Sequence, residues 1–425
     1  MRKFLLAVAA AAMLAASPAA AQNMDVRAGR LIDPASASVR VDQRVRIVDG
    51  KIASVQPWRD ADGPPAVDWS GFTVLPGLID LHTHLADGFG NSSDPLEPLK
   101  HGEAETILKG AEAARIELRA GFTTVRDVGV YRGLTDVALR DAIDRGWVEG
   151  PRMFVAGGYL TTPGGGGSVG GLAPDVPVPP QFRVGEVRNA GEARDRARYL
   201  LDNGADFIKL IATGAVLALG SEPGALELSP AEMKAACDEA KLRGTYCIAH
   251  AHGAEGIKAA IRAGARTIEH ASYLDAEGIA LAKTHGVWLD MDIFNGDWID
   301  EVGTKEGWPA EYLRKNRETT DIQRRGFAAA VKAGARLTFG SDAGVYPYGL
   351  GARQFAYMVR YGMTPMQAIQ SATSGAARAL GKEGEVGSLA PGAWGDLIAV
   401  RGDPLTDIRA LETVGAVIKE GRLVR

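Results

Sequence analysis

One pattern recurs along the chain and constrains its fold. A stretch with helical composition ends at a glycine, and a short run rich in β-branched and aromatic residues follows, as at Gly121 before residues 122–126 and at Gly334 before residues 336–340. The glycine is suited to the left-handed conformation that closes a helix, and the run after it has the composition of a buried parallel strand. The predicted strands are residues 78–81, 122–126, 152–156, 206–211, 245–249, 266–269, 287–291 and 336–340.

Six of these runs follow a helix-closing glycine, and residues 78–81 and 152–156 bring the number of predicted strands to eight. Eight strands connected by helices predict an α/β protein built as a (β/α)8 TIM barrel. The alternative is an open, doubly wound sheet. Such a sheet places its site at a single switch point between two strands. Polar side chains follow five of the predicted strands here, which favours the barrel.

The two ends of the chain carry a different, β-rich pattern. Residues 24–74 include the hairpin signal Asp49-Gly50, and the tail has β-rich runs at 395–400 and 414–424. We expect the two ends to pair into one small β-sandwich domain. The predicted divisions are a signal peptide at 1–21, the small β domain at 22–74 and 385–425, and the barrel at 75–384.

The first residues resemble a secretory signal peptide. Arg2 and Lys3 precede an apolar stretch at 4–16, and Ala19-Ala20-Ala21 forms a small-residue cleavage site before Gln22. The alternative, a membrane anchor, is disfavoured because the stretch is too short to span a bilayer. The prediction is a secreted or periplasmic protein that is not held in a membrane.

Composition limits the partners. The 425 residues carry a formal net charge of −4 with no basic block, which makes nucleic acid an unfavoured partner. Cys237 and Cys247 are the two cysteines. A disulfide is feasible in an exported protein, but we favour two buried free thiols because a chain of this size needs no covalent staple.

Polar side chains with metal-binding chemistry lie at or near the ends of the predicted strands. In a barrel these ends meet at one face, so we expect the side chains to gather there and hold divalent metal ions. Imidazole and carboxylate ligands suit zinc and also accept manganese, cobalt or iron. The candidate metal ligands are His82, His84, Lys209, His250, His270 and Asp342.

Lys209 lies inside the apolar run 207–211, where burial disfavours its charge. Its ammonium group either reaches the barrel mouth along its aliphatic stem or, as a neutral amine, reacts with carbon dioxide to form a carbamate. A carbamate is an anion with two oxygens that can bridge two cations. Given the neighbouring ligands, we favour the carbamate, N6-carboxylysine.

Asp342 is the candidate catalytic residue, since a carboxylate can hold a metal with one oxygen and accept a proton with the other. The alternative is an N-cap for a following helix. His252, two residues after His250, and Tyr131, just after the second strand, are candidate substrate-binding residues. A hydrogen-bonded supporting histidine and a surface tyrosine are the simpler interpretations.

Two segments after the third strand have loop composition. Residues 161–171 contain four consecutive glycines from Gly164, and residues 174–180 are rich in proline. Loops that follow strands build the active face of a barrel. We therefore expect a flexible lid or a substrate wall, with a plain surface loop as the alternative.

The motif Pro76-Gly77-Leu78-Ile79-Asp80-Leu81-His82-Thr83-His84, with the tail segments 387–392, 395–397 and 403–405, resembles the amidohydrolase superfamily. The resemblance runs from Met24 to the C-terminus. Within the superfamily, the chain is most similar to the imidazolonepropionase-like group that contains prolidase-type dipeptidases and ochratoxin-hydrolysing amidases.

The resemblance implies two zinc ions, the first held by His82, His84 and Asp342 and the second by His250 and His270. Carboxylated Lys209 and a hydroxide would bridge them. Imidazolonepropionase itself uses one metal and no bridging lysine, so Lys209 argues against that reaction. Relatives often carry a substrate-binding histidine in the loop that corresponds to residues 164–171, and this chain has none there.

The implied reaction is hydrolysis of a small-molecule amide by attack of the bridging hydroxide, in a protein that forms a homo-oligomer. The favoured substrates are N-acyl amino acids or dipeptides with a bulky apolar part, a description that ochratoxin A fits. One alternative is hydrolysis of an ester, lactone or phosphotriester on the same site. The other is a barrel that only binds partners.

Overall fold

The computed structural model describes residues 23–87, 94–173 and 175–425. The predicted signal peptide, residues 1–21, lies outside the described residues. Across the three described stretches, no helix combines the length and the apolar character needed to cross a bilayer.

The described strands fall into two groups, a set near the chain ends and a set between them. In chain order they are β1 (Met24–Asp33), β2 (Ser38–Val48), β3 (Lys51–Pro57), β4 (Val67–Pro76), β5 (Leu78–Thr83), β6 (Phe122–Asp127), β7 (Arg152–Val155), β8 (Tyr159–Leu160), β9 (Ile208–Ile211), β10 (Cys247–Ala251), β11 (Thr267–His270), β12 (Trp288–Asp290), β13 (Arg336–Thr338), β14 (Leu397–Val400), β15 (Val414–Lys419) and β16 (Arg422–Leu423).

Helices connect most of the central strands, and glycine ends several of them. Gly264 and Gly286 close two helices in the left-handed conformation, with φ of 102° and 68°, as the sequence pattern predicts. The α-helices are α1 (Glu97–Lys100), α2 (Glu103–Arg119), α3 (Thr135–Asp144), α4 (Ala190–Asp202), α5 (Pro230–Leu242), α6 (Ala254–Ala263), α7 (Ala276–His285), α8 (Asn295–Glu306), α9 (Ala310–Lys332), α10 (Gln354–Arg360), α11 (Pro365–Ser371) and α12 (Ser374–Leu380).

The central strands form two parallel sheets in an α/β fold. β5, β6 and β7 pair in one sheet, and β8 to β13 pair in sequence in the other. Each of the eight predicted strands overlaps an observed one, and β8 is an additional short strand. Backbone hydrogen bonds from Leu81 N to Phe339 O (3.0 Å) and from Asp206 N to Val155 O (2.8 Å) link the two sheets at both of their ends.

The chain ends pair as predicted, but in one sheet. The strand order is β16-β15-β14-β4-β1-β2-β3, so the expected sandwich of two sheets is wrong. Hydrogen bonds from Ile52 N to Ala393 O and from Gly395 N to Gly50 O bring the β3 edge back to the segment before β14. The single sheet therefore curls around its own apolar face, and a second sheet is not needed to bury that face. Side chains from both chain ends pack there, including Val26, Ile47, Trp69, Leu397 and Ile418.

The cysteine prediction is also corrected. Cys237 on α5 and Cys247 at the start of β10 form a disulfide, with their Cα atoms 5.1 Å apart. α5 ends at Leu242, and the short turn that follows leads directly into β10, which packs against α5. The size of the chain bears only on whether the fold needs a disulfide, whereas this helix–turn–strand geometry determines whether one can form.

Candidate metal centre

The structure brings all six predicted metal-ligand side chains together at the carboxyl ends of the parallel strands. The rings of His82 and His270 lie 4.8 Å apart, and those of His250 and His270 lie 4.5 Å apart, measured between centroids. His84, Lys209 and Asp342 line the same cavity, which has a volume of about 200 Å³. This grouping follows from strand geometry, since parallel strands end at a common edge.

Asp342 faces the two histidines of β5. Its Oδ1 lies 3.4 Å from the Nε2 atoms of both His82 and His84. Its backbone has a φ of 59°, in the left-handed region that a residue with a Cβ rarely adopts. The chain after it forms bends and turns up to residue 350, so Asp342 does not cap a helix there.

Three histidines each have one ring nitrogen within hydrogen-bond distance of a neighbouring oxygen. His84 Nδ1 lies 2.9 Å from the carbonyl oxygen of Gly129, and His250 Nε2 lies 3.2 Å from that of Gly214. Since a carbonyl oxygen only accepts, these nitrogens donate. His270 donates from Nδ1 to Asp292 Oδ1 at 3.0 Å. Supporting oxygens of this kind orient histidine ligands in metal sites.

A buried carboxylate also lies beside His82. Glu269 Oε2 is 3.2 Å from His82 Nδ1, close enough for a charge contact but outside hydrogen-bond geometry. Both Glu269 oxygens accept from Arg126 Nη2 at 3.1 Å, and Arg126 also lies 3.4 Å from Asp290. His82, Glu269 and Asp290 are close enough together to hold a cation, but the guanidinium group already supplies the positive charge there.

Lys209 is buried to 99% among these groups, since its relative exposure is 1%. No acceptor in the described part of the chain hydrogen-bonds its Nζ. Burial, which outweighs the attraction of Glu269, lowers the pKa of Lys209 to about 8. A much larger fraction of its amine is therefore neutral near pH 7 than in an exposed lysine.

His84 and Asp342 are electrostatically coupled. Burial opposes the charge on His84, but the hydrogen bond and the charge of Asp342 raise the pKa of His84 to about 9. Burial also opposes the charge on Asp342, yet the hydrogen bond from His84 and the charge of His270 lower the pKa of Asp342 to about 2. The site thus attracts positive charge, as a proton between these groups or as a metal cation in its place.

The donor atoms fit divalent ions on geometric grounds. One group comprises His82, His270 and Asp342, and the other comprises His250, His252 and His270, with the ligand atoms of each group within 4.8 Å of one another. Nitrogen and carboxylate oxygen donors of this kind are suited to divalent cations, and the unpaired amine of Lys209 lines the same cavity.

The two predicted substrate-binding residues both line the cavity. His252 Nδ1 lies 2.8 Å from Ser272 Oγ, and its ring stacks on His270 with centroids 4.8 Å apart. Tyr131 packs edge-on against Tyr159, 5.2 Å between ring centroids, and its backbone N–H donates to Asp87. Tyr131 is therefore a wall residue, whereas His252 lies within the histidine cluster itself.

Sequence reasoning missed several side chains near the ligands. Tyr159 OH lies 2.9 Å from His84 Nδ1. Asp292 supports His270, and Asn295 Nδ2 donates to Asp342 Oδ2 at 3.2 Å. The alternation Asp290-Met291-Asp292 at the end of β12 was the available signal, since it places two carboxylates at a strand end in the same pattern as His82 and His84.

The glycine-rich loop lies against the cavity. Gly166, Ser168 and Gly170 line it, and the Gly166 N–H donates to Glu227 Oε2 at 2.8 Å. The segment forms a cavity wall, one of the two functional roles expected for it.

Comparisons with known proteins agree with this architecture. The amidohydrolase family profile matches residues 73–424. An ochratoxinase from Aspergillus niger is 31% identical over 381 residues, covering 83% of this chain and 75% of that protein. The crystal structure of a Xaa-Pro dipeptidase with bound methionine superposes with a TM-score of 0.88 at 35% identity, covering 95% of this chain and 99% of that one. The A. niger ochratoxinase structure superposes with a TM-score of 0.81 at 27% identity, covering 96% of each chain.

The chain therefore belongs to the amidohydrolase family. It is a hydrolase that acts on amide or peptide bonds of small molecules. Enzymes of this family generally use metal ions, which agrees with the histidine and carboxylate groups around the cavity.

Proposed function

We propose that the protein is a binuclear metal-dependent amidohydrolase. It cleaves the amide bond of N-acyl amino acids or dipeptides that carry a bulky apolar group, and ochratoxin A is a candidate substrate. The observation that carries the proposal is the unpaired amine of Lys209 in one cavity with the four histidines and the aspartate that are the candidate ligands. His82, His84 and Asp342 would hold one ion, His250 and His270 would hold the other, and Lys209, as N6-carboxylysine, would supply an anionic ligand to both.

A second buried lysine shows why Lys209 is unusual. Lys315 is also fully buried, yet its Nζ donates to Ser221 O at 2.8 Å, to Glu311 Oε1 at 2.9 Å and to Ala218 O. Lys209 has no such acceptor among the described residues. A buried ammonium without partners is costly, whereas a carbamate bound to two cations is not. This contrast supports carboxylation at Lys209 and not at Lys315.

Zinc is the expected metal, and two such ions would supply, when bound, an activated hydroxide at neutral pH and a Lewis acid for the scissile carbonyl. In the proposed reaction Asp342 takes the proton of the attacking water and passes it to the leaving nitrogen. His252 and Tyr131 face the cavity and bind the substrate around the carbonyl.

The cavity wall supports an apolar substrate group. Leu217, Ile299 and Val345 line the cavity, and Phe294 and Trp308 pack behind them in one apolar cluster. A wall of this kind binds an aromatic or branched aliphatic group by excluding water from both surfaces.

Three further proposals concern the molecule as a whole. The hydrogen bonds that link the two parallel sheets at both ends support a closed (β/α)8 barrel. The disulfide supports a secreted or periplasmic location after removal of residues 1–21, because disulfides persist in oxidising compartments. The homo-oligomer is proposed on family resemblance alone.

The test combines metal analysis with a substrate panel of N-acyl amino acids, dipeptides and ochratoxin A. We expect two metal ions per chain and hydrolysis of at least one amide. Lys209→Ala should lose activity and regain part of it when a short-chain carboxylate is added in place of the carbamate. Lys315→Met is the matched control and should not respond to the carboxylate.

Other outcomes contradict specific parts of the proposal. Turnover of an ester, lactone or phosphotriester without amide hydrolysis would reassign the reaction to another bond. Absence of bound metal together with full activity would remove the binuclear mechanism.

A further inference from the structure

Asn295 occupies a distinctive place at the start of α8. Its side chain is buried and borders the cavity. Its Nδ2 donates to Asp342 Oδ2 at 3.2 Å and also to Asp292 Oδ2. One primary amide therefore bridges two buried carboxylates.

The orientation of this amide is fixed by its partners. A carboxylate oxygen only accepts, so the carbonyl end of the amide cannot face either aspartate. The NH2 group has two hydrogens, one for each carboxylate. Because both hydrogens are in use, neither the amide nor the two carboxylates can rotate without losing a hydrogen bond.

The bridged carboxylates belong to opposite halves of the site. Asp342 directs its other oxygen, Oδ1, toward His82 and His84. Asp292 directs its other oxygen toward His270 Nδ1 at 3.0 Å, and Gln323 Nε2 donates to the same oxygen at 2.9 Å. Asn295 thus joins a ligand of the proposed first ion to the residue that orients a ligand of the second.

We propose that Asn295 is a positioning residue for this reaction, one that holds Asp342 and Asp292 so that both ligand groups keep a fixed separation. The inference rests on the proposed binuclear function. Two carboxylates this close repel each other unless a donor lies between them. Without the amide, Asp342 is free to turn Oδ1 away from His82 and His84.

The test compares Asn295→Leu, which has a similar volume and no donor, with Asn295→Gln, which keeps both N–H groups on a longer side chain. Partners that orient metal ligands typically contribute about 10–100-fold to activity or metal affinity. We expect Asn295→Leu to lower kcat by about that factor at saturating zinc, with KM changed less than about threefold. Asn295→Gln should recover part of the loss.

A second readout does not depend on activity. The rate at which zinc-loaded protein releases metal to a chromogenic chelator should rise about tenfold or more in Asn295→Leu. Gln43→Leu is the matched control, since Gln43 is a buried amide that donates to a backbone carbonyl in the terminal sheet. It should lower the unfolding temperature without changing metal release or kcat. If Asn295→Leu does not fold, Asn295→Ala, which also lacks a donor, replaces it in the same comparison.

The outcomes separate this inference from the proposed function. A wild-type protein that hydrolyses amides, with an Asn295→Leu variant equal to it in kcat and in metal release, overturns the positioning role alone. A wild-type protein that holds zinc but cleaves no amide overturns the proposed reaction. The metal-release rates of wild type and Asn295→Leu then still test the positioning role of Asn295. Equal losses in the Leu and Gln variants, in proportion to their unfolding temperatures, indicate a merely structural residue and also overturn the inference.

Discussion

The terminal sheet and the carboxyl ends of the parallel strands bury different kinds of side chain. In the terminal sheet, apolar side chains pack together, and charged pairs such as Arg44 with Asp25 lie toward the surface. At the strand ends, charged groups are buried, and Lys209 lacks a partner among the described residues. Uncompensated charged groups cluster where a protein performs chemistry.

This difference has a measurable meaning. Changes at the strand ends should affect turnover more than folding, and changes in the terminal sheet should affect folding more than turnover. A substitution at the strand ends that mainly affects folding, or one in the terminal sheet that mainly affects turnover, would show that the two regions are energetically connected.

The largest expected effect is on turnover at Asp342. Asp342→Asn removes the proton acceptor while keeping the shape of the side chain, and should lower kcat by about 10²–10⁴-fold. Steady-state kinetics at saturating zinc and the unfolding temperature are measured together. A variant with kcat near that of the wild type would contradict the catalytic role of Asp342. It would also show that a substitution at the strand ends can leave turnover unchanged, which is expected only in the terminal sheet.

The next effect is on stability in the terminal sheet. Ile47 is fully buried in its apolar cluster, so Ile47→Ala should lower the free energy of unfolding by about 2–5 kcal/mol. Chemical denaturation measures the loss, and kcat should stay within about twofold of wild type because the transition state does not contact this cluster. A parallel fall in kcat would contradict the division between the two regions.

The disulfide belongs to neither of the two regions, but Cys247 lies on the strand that carries His250. Replacing Cys237 and Cys247 together with alanine should lower the free energy of unfolding by about 3 kcal/mol, as expected for a loop of this length. Kinetics of the double variant and of reduced wild type should agree. A large loss of kcat in both would show that the disulfide also positions the β10 histidines.

The smallest effect concerns pH. Burial, assisted by the charge of Asp80, raises the pKa of Glu117 to about 8 from about 4.5. Between these values the unfolded chain loses the proton that the folded protein keeps, so this group lowers stability as pH rises from about 4.5 to 8. Glu117→Gln removes the ionisation.

The stability of Glu117→Gln relative to wild type, measured by the unfolding temperatures, should therefore increase from pH 5 to pH 8.5, because only the wild type loses stability through this ionisation. The new amide brings buried N–H groups that need partners and lowers the stability of the variant equally at both pH values, so the variant is more stable than the wild type at pH 8.5 by only about 1–2 kcal/mol. A constant difference at both pH values would mean that Glu117 does not titrate in this range.

Much of the central fold is predictable from the sequence because its signals are local. Most of the buried strands are short apolar runs after a helix-closing glycine, and the candidate ligands lie in or after such runs. The pairing of the two chain ends is predictable as well, but their arrangement as one sheet is not. The curl depends on hydrogen bonds such as that from Ile52 to Ala393, which join residues far apart in sequence.

The supporting groups of the site are also hard to predict, because their roles depend on contacts between residues far apart in sequence. Asn295 is an ordinary amide at the start of a helix until Asp292 and Asp342 are brought beside it. Gln323 lies on a long helix, and only its contact with Asp292 identifies it as a supporting residue of the site. Metal-ligand types stand out in a sequence, whereas the residues that orient them are defined by contacts.

The link between β4 and β5 has a further consequence. A single residue, Gly77, separates the terminal sheet from β5, the strand that carries His82, and a Cβ there would lie 2.1 Å from Thr123 Oγ1. The Gly77 N–H also donates to Asp396 O from the other chain end. The segment therefore acts as a rigid coupling, and an engineered chimera that exchanges the terminal sheet must carry residues 76–78 across unchanged to keep the first histidine pair in register.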